Sequence, residues 1–222
     1  GTFSHAILPE YACDILRTLK IPLAKVVIHK ETPVLCSSLD IPQPGFEIPN
    51  SLSPQYIDFL SGFRSSVFGS MNHGVPDQRT FFSRSRLDKG LVAGEIQLER
   101  LFFDKGFRIV NPETLPLKAQ LRLISSSRQL VGLNGSALHN VLLSPFSPTR
   151  MVQFKRRKGW TSGVQTTVNN ALNIQSIEID AIAEQRGADS KAVARFDMHA
   201  LADELSKVFS FSWSDLEVKE LE

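Results

Sequence analysis

Gln129-Leu130-Val131-Gly132-Leu133-Asn134-Gly135-Ser136-Ala137-Leu138-His139-Asn140-Val141-Leu142-Leu143 is the run whose reading decides the fold. Its front, Gln129 to Leu133, is a short apolar burst, the pattern of a strand buried on both faces of a parallel sheet. Its back, from Ser136 to Leu143, places Leu138, Val141 and Leu142 at helical spacing. Between them lies Asn134-Gly135-Ser136, small residues that let backbone approach a ligand closely. A strand, a tight glycine turn and a helix start make an anion-binding corner. The first helical N–H groups lack intrahelical acceptors, and the helix dipole adds partial positive charge there. A phosphate or diphosphate suits such a corner, although many strand-glycine-helix turns hold nothing.

Outward from this run the chain alternates. Arg79 to Ser83 reads as a strand and Leu91 to Lys105 as an amphipathic helix stopped by Gly106. Phe107 to Val110 is a strand, and Pro116 to Ser126 a helix with Leu117, Leu121 and Ile124 inward. This βαβαβα alternation between residues 79 and 143 predicts a doubly wound parallel sheet. Met151 to Phe154 and Ile174 to Ile179 are further strands, and Phe196 to Phe209 a closing helix. Toward the amino terminus, residues 3 to 19 predict a helix whose regular part begins near Pro9. Ala24 to His29 reads as a strand. The proline-rich stretch from Thr32 to Pro54 forbids long helices, leaving room for brief strands at Val34-Leu35 and Phe46 to Ile48. Ser53-Pro54 is a helix N-cap followed by a favoured first-turn proline. Phe68 to Pro76, rich in Gly, Ser and Asn, reads as a hinge. Three units follow: residues 1–75, 76–185 and a closing helix and tail, 186–222.

Composition bounds the rest. The chain has 222 residues, 42% of them hydrophobic and 22% charged, which is ordinary for a globular protein. A formal net charge of +2 argues against a polyanionic partner such as nucleic acid. Cys13 and Cys36 form neither a metal-ligand pattern nor a disulfide framework, so reduced thiols are the default. No run approaches the roughly 20 apolar residues of a membrane span. The opening Gly-Thr-Phe-Ser-His lacks a signal-peptide pattern and a Met, and reads as the start of a fragment. Compartment and oligomeric state have no sequence signal here.

Upstream of the opening run stand Gly106-Phe107, Ile109-Val110, Pro112-Glu113, Leu115 and Gln120. In this order, followed by Val131-Gly132 and Asn134 to Asn140, they resemble the catalytic domain of glycosyltransferase family sixty-one. Its members include plant xylan-decorating enzymes, O-linked N-acetylglucosaminyltransferases and bacterial capsule enzymes. The resemblance covers residues 80 to 180 best. Gly135, Leu138 and Asn140 match the family's pattern, Ser136 and Ala137 are small where it is small, and Asn134 stands where His is common. The family implies a GT-B-like α/β fold, with residues 76–185 as the nucleotide-sugar-binding lobe and residues 1–75 on the acceptor side. It implies an inverting glycosyltransferase, moving a hexose or pentose from a nucleotide-sugar to a glycan or glycoprotein. The alternative is a degenerate member that binds a glycan or partner without transfer. A nucleotide-cofactor oxidoreductase is disfavoured, since no Gly-x-Gly-x-x-Gly fingerprint follows any strand.

Such a transferase must neutralise a departing diphosphate and deprotonate an acceptor hydroxyl. The chain has no Asp-x-Asp motif and no clustered His or Cys, so a metal-independent solution fits better, with no cofactor beyond the donor substrate. Backbone donors are expected from Asn134, Gly135, Ser136, Ala137 and Leu138. Arg84 is the expected cation, because it follows a strand and matches the family's Ser-Arg pair as Ser83-Arg84. A solvated loop charge is its bland alternative. Arg86 is a weaker candidate, and Lys89-Gly90 stand where a further Arg is common. Glu95 aligns with the Glu of an Asn-Glu pair, Gly94 replacing Asn. Capping its helix is one role for it and sugar or ribose binding the other. Asn140 either contacts the donor or braces the loop, and Gln120 braces. For the base the resemblance offers His5, with Glu10 one position beyond the acidic residue the family usually carries, where Pro9 stands here; Asp14 is held in reserve. Lys155-Arg156-Arg157-Lys158 with Trp160 reads either as a solvated loop or as a contact for anionic polymers.

Overall fold

Five short parallel strands carry the architecture, polar where they begin and apolar where the central ones cross the core. A computed structural model describes residues 8–28, 35–69, 77–144, 146–187 and 192–211. In chain order the elements are α1 (Glu10–Thr18), β1 (Phe46–Glu47), β2 (Ser51–Leu52), α2 (Pro54–Phe68), β3 (Gln78–Phe82), β4 (Val92–Ala93), α3 (Glu95–Asp104) and β5 (Arg108–Val110). Then come α4 (Leu117–Ser126), β6 (Ser127–Leu133), α5 (Ser136–His139), β7 (Arg150–Phe154), α6 (Gly163–Ala171), β8 (Gln175–Ile179), β9 (Ile182–Arg186), β10 (Val193–Phe196) and α7 (Met198–Phe209). The main sheet has the order β5-β3-β6-β7-β8, and all its pairings are parallel. Both cysteines are free.

The central strands are buried on both faces toward their carboxyl ends, which is why Phe81-Phe82, Leu130 to Leu133 and Met151 to Phe154 read as near-continuous apolar runs. Ile109, Phe81, Val131, Val152 and Ile177 stand in one row across it. Their face packs against Leu98, Leu101 and Phe102 of α3 and Leu201 and Leu205 of α7. Phe102 is the hub: its ring lies 5.0 Å from Phe81 and 4.8 Å from Phe107, with Phe154, Phe209 and Phe211 also in reach. The opposite face carries Phe82, Val110, Leu130 and Met151. They are covered by Leu60 and Phe68 of α2, Leu121 and Ile124 of α4, Leu138 of α5 and Val168 of α6. Helices on both faces of a parallel sheet give the GT-B-like α/β class expected from the alternation.

Local chemistry explains the boundaries. Ser53 caps α2, its hydroxyl accepting the Tyr56 amide at 3.2 Å. Asp197 caps α7 by accepting the amides of His199 and Ala200. Gly94 precedes α3 at φ +101, a left-handed conformation that glycine takes freely and asparagine better than most residues. Glycine for asparagine there preserves the turn.

Several expectations are corrected. The strand foreseen at Ala24 to His29 is absent from the described part: Pro22 starts a 3₁₀ turn, Leu23–Lys25, and Val26 to Ile28 pair with no strand. His29 and Val34 lie outside the described residues, as does most of the expected hinge. The α3 pattern begins too early, since Val92 and Ala93 pair with β10 in a second sheet of order β4-β10-β9. The helix after Gly135 is α-helical only to His139 and tightens to 3₁₀ over Asn140–Leu143. Phe196 ends β10 rather than opening α7. Helix α6 and the β9–β10 pair were not foreseen.

Candidate functional site

When the main-sheet strands are numbered along the chain, their order is 2-1-3-4-5, and it reverses between β3 and β6. From β3 the chain crosses to β5 through α3 on one face. From β6 it crosses to β7 through α5 on the other. The loops leaving these neighbours diverge, and a crevice opens beyond their carboxyl ends. A cavity of about 1150 Å³ lies there.

The loop after β3 supplies Arg84, held by carboxylates behind it. The Arg84 amide donates to Glu95 Oε1 at 2.6 Å. The Ser83 hydroxyl donates to Glu99, and its oxygen accepts the Ser85 amide at 3.0 Å. Glu95 is 3% exposed. Burial, more than the neighbouring Glu99, pushes its carboxyl up to about 7, against the lowering effect of the Arg84 amide and guanidinium. The Arg84 guanidinium then lies on Gly135: a Cβ added there would stand 2.7 Å from Nη1. Only glycine permits that approach. Burial lowers the Arg84 pKa, with Glu95 and Glu113 acting the other way.

The loop after β6 supplies Gly135, Ser136 and Ala137. The first amides of a helix have no acceptor within it, and no side chain caps those of α5. The loop is braced from below. Asn140 Nδ2 donates to Gln120 Oε1 at 2.9 Å, and Gln120 Nε2 donates to the carbonyls of Pro112 and Leu115 at 2.8 and 2.9 Å. Gln120 thereby ties the Pro112–Thr114 turn, which presents Glu113, to the glycine loop.

Of the residues anticipated from sequence, Arg84, Gly135, Ser136, Ala137, Leu138, Asn140 and Glu10 all line this one cavity. Glu10 arrives on α1 with Tyr11 and Asp14, whose carboxylate pairs with Arg17 at 3.0 Å. Glu95 and Asn134 stand behind the wall. Glu95 fixes the Arg84 turn, and Asn134, 1% exposed, donates its amide to the Phe154 carbonyl at 2.9 Å. His5 lies outside the described residues.

One lining residue escaped the sequence reading. Arg156 enters the cavity, and its Nε donates to the Asn134 carbonyl. Burial, then the like charges of Arg84 and Arg157, pull its pKa down to about 10. The signal was positional. Arg156 stands two residues beyond the end of β7, the offset that Arg84 has from β3 and Gly135 from β6. A composition reading of the four-cation run hides this.

Among the described residues no three His, Cys, Asp or Glu side chains gather as a metal site, and no helix is long and apolar enough to cross a membrane. A comparison with curated proteins gives no match. A comparison with family models does: the one described as glycosyltransferase 61 matches residues 6–152, which takes in α1 through β6 and the cavity walls they build.

Proposed function

The chain belongs to the glycosyltransferase 61 family, and from that premise we propose that the switch-point cavity binds the diphosphate of a nucleotide-sugar and transfers its sugar, with inversion, to a glycan or glycoprotein hydroxyl. The observation that carries this reading is the seating of the Arg84 guanidinium on Gly135, beside the uncapped amides of Ser136 and Ala137. A guanidinium offers paired donors to phosphate oxygens, and backbone amides offer donors that need no reorganisation. Together they stabilise charge as it develops on the leaving diphosphate, the task a divalent ion performs in metal-dependent transferases. Inversion needs one displacement, with a base that takes the acceptor proton as the new bond forms. We assign the acceptor side to the α1 wall and the base to Glu10, which lines the cavity. His5 remains a sequence-based proposal for the same step. Glu113 lines the cavity near enough to Arg84 to act on its charge, and we assign it to the hydroxyls of the bound sugar.

Calorimetry with a panel of nucleoside diphosphates tests the donor reading. At least one is expected to bind, and Arg84→Ala is expected to weaken it tenfold or more, about 1.4 kcal/mol. Folded protein that binds none of the panel rejects the donor reading; unchanged affinity in the variant rejects the role of Arg84. Release of nucleotide only in the presence of acceptor separates transfer from mere binding, because a degenerate binder releases none.

A further inference from the structure

The four cations of Lys155 to Lys158 do not share one environment. Lys155 extends the pairing of β7 with β8, its amide donating to the Ile179 carbonyl at 2.9 Å. Its ammonium lies 3.4 Å from Asp180 and 3.9 Å from Glu178. Arg157 stacks on the Trp160 ring, 4.0 Å from its centroid. Lys158 is exposed. Arg156 alone turns into the switch-point cavity.

Its guanidinium is anchored without being neutralised. Nε is committed to the Asn134 carbonyl, the backbone immediately before Gly135. Among the described residues neither Arg156 nor Arg84 forms an ion pair with a carboxylate. Glu95, the acidic side chain whose charge reaches both, spends an oxygen on the Arg84 amide instead. Two half-buried like charges thus face one cavity from either side of the glycine loop, and their mutual repulsion is relieved by an anion between them.

We infer that Arg156, which lies beyond the segment matched by the family, is the second anion-binding side chain of the donor site, and that it pairs with Arg84 to select a two-phosphate group over a single phosphate. The inference rests on the donor-site reading above and adds a residue to it. A guanidinium anchored through Nε keeps both terminal nitrogens for a planar, two-point contact that an ammonium cannot copy. Its anchor makes it report the position of the Asn134–Gly135 backbone, so that loop and cation meet the diphosphate together.

The test uses inorganic pyrophosphate and inorganic orthophosphate as probes, so that no choice of base or sugar enters. Wild-type protein, Arg156→Ala, Arg156→Lys and Arg84→Ala are titrated at fixed ionic strength. Arg156→Ala is expected to weaken pyrophosphate tenfold or more and orthophosphate no more than threefold, while Arg84→Ala weakens both. Arg156→Lys, which keeps the charge and the fold, is expected to recover less than half of the lost selectivity. A selectivity ratio unchanged in both Arg156 variants overturns the inference and leaves the donor reading standing. Wild-type protein that binds neither pyrophosphate nor any nucleoside diphosphate overturns both.

Discussion

Glu95 gives the sharpest test of the site's electrostatics. Its carboxyl ionises near 4.5 in an unfolded chain and at about 7 in the fold, chiefly because it is buried. The folded state therefore holds a proton that the unfolded state has lost between those values. Stability from this group is fully present below about pH 4.5, falls through the interval and is gone above pH 7. The difference corresponds to about 3 kcal/mol, at roughly 1.4 kcal/mol per pH unit. Glu95→Gln keeps an oxygen to accept the Arg84 amide and removes the charge. The variant is expected to exceed wild type by less than about 1 kcal/mol near pH 5 and by about 2–3 kcal/mol at pH 8.5, the sign following from the raised pKa. For a chain of this size that is a rise in Tm of about 5–10 °C. Thermal unfolding followed by circular dichroism at half-unit steps from pH 5 to 9 measures it. The difference between the two proteins isolates Glu95, because every other titrating group is common to both. Parallel curves, or a variant less stable at pH 8.5, refute the burial argument.

Gly135→Ala is expected to fold normally, since its backbone is extended and the added methyl meets only the flexible tip of Arg84. Nucleoside diphosphate affinity measured by calorimetry should fall tenfold or more as the guanidinium is displaced. Gly132→Ala should behave oppositely, because its Cβ would stand 2.7 Å from the Phe82 carbonyl oxygen in the adjacent strand. A loss of about 2–3 kcal/mol, read as a lower urea midpoint with unchanged slope, is expected. Gln120→Leu strands the Pro112 and Leu115 carbonyls and the Asn140 amide. It should cost about 2–4 kcal/mol in denaturant unfolding and weaken nucleoside diphosphate binding through the loosened loop.

The sheet was legible because strands buried on both faces leave near-continuous apolar text, as in Leu130-Val131-Gly132-Leu133 and Met151 to Phe154. Helix α6 was not, because Thr166, Thr167, Asn169 and Asn170 are poor helix formers, and its start rests on the Ser162 cap. The β9–β10 pair was missed for a related reason: alternating Ala, Glu and Arg carry little strand propensity, and the long-range parallel partner β4 is two residues long. In the site, Gly135 and Arg84 could be read from a glycine turn and a strand end. The inward turn of Arg156 could not be read from its charge, which its three basic neighbours share. Only counting from the end of β7 sets it apart.

A switch point opens a crevice by sending successive crossovers to opposite faces, but divergence alone leaves two unsupported loops. Here each loop has its own polar brace, on the side to which its crossover departs. Glu95, on α3, fixes the loop after β3, and Gln120 with Asn140, between α4 and the 3₁₀ turn, fixes the loop after β6. Arg156 crosses from β7 to the second loop and joins the braces through the Asn134 carbonyl. The cations are thus positioned by a network of which Glu95 and Asn134 stand behind the wall while Gln120 and Asn140 reach the cavity edge. Substitutions at Glu95 or Gln120 should therefore change ligand affinity through geometry, and their effects should combine non-additively with those of Arg84 and Arg156 in double-mutant cycles. Independent, additive effects would mean that the loops hold their shape without the braces, and that the crevice is set by the sheet alone.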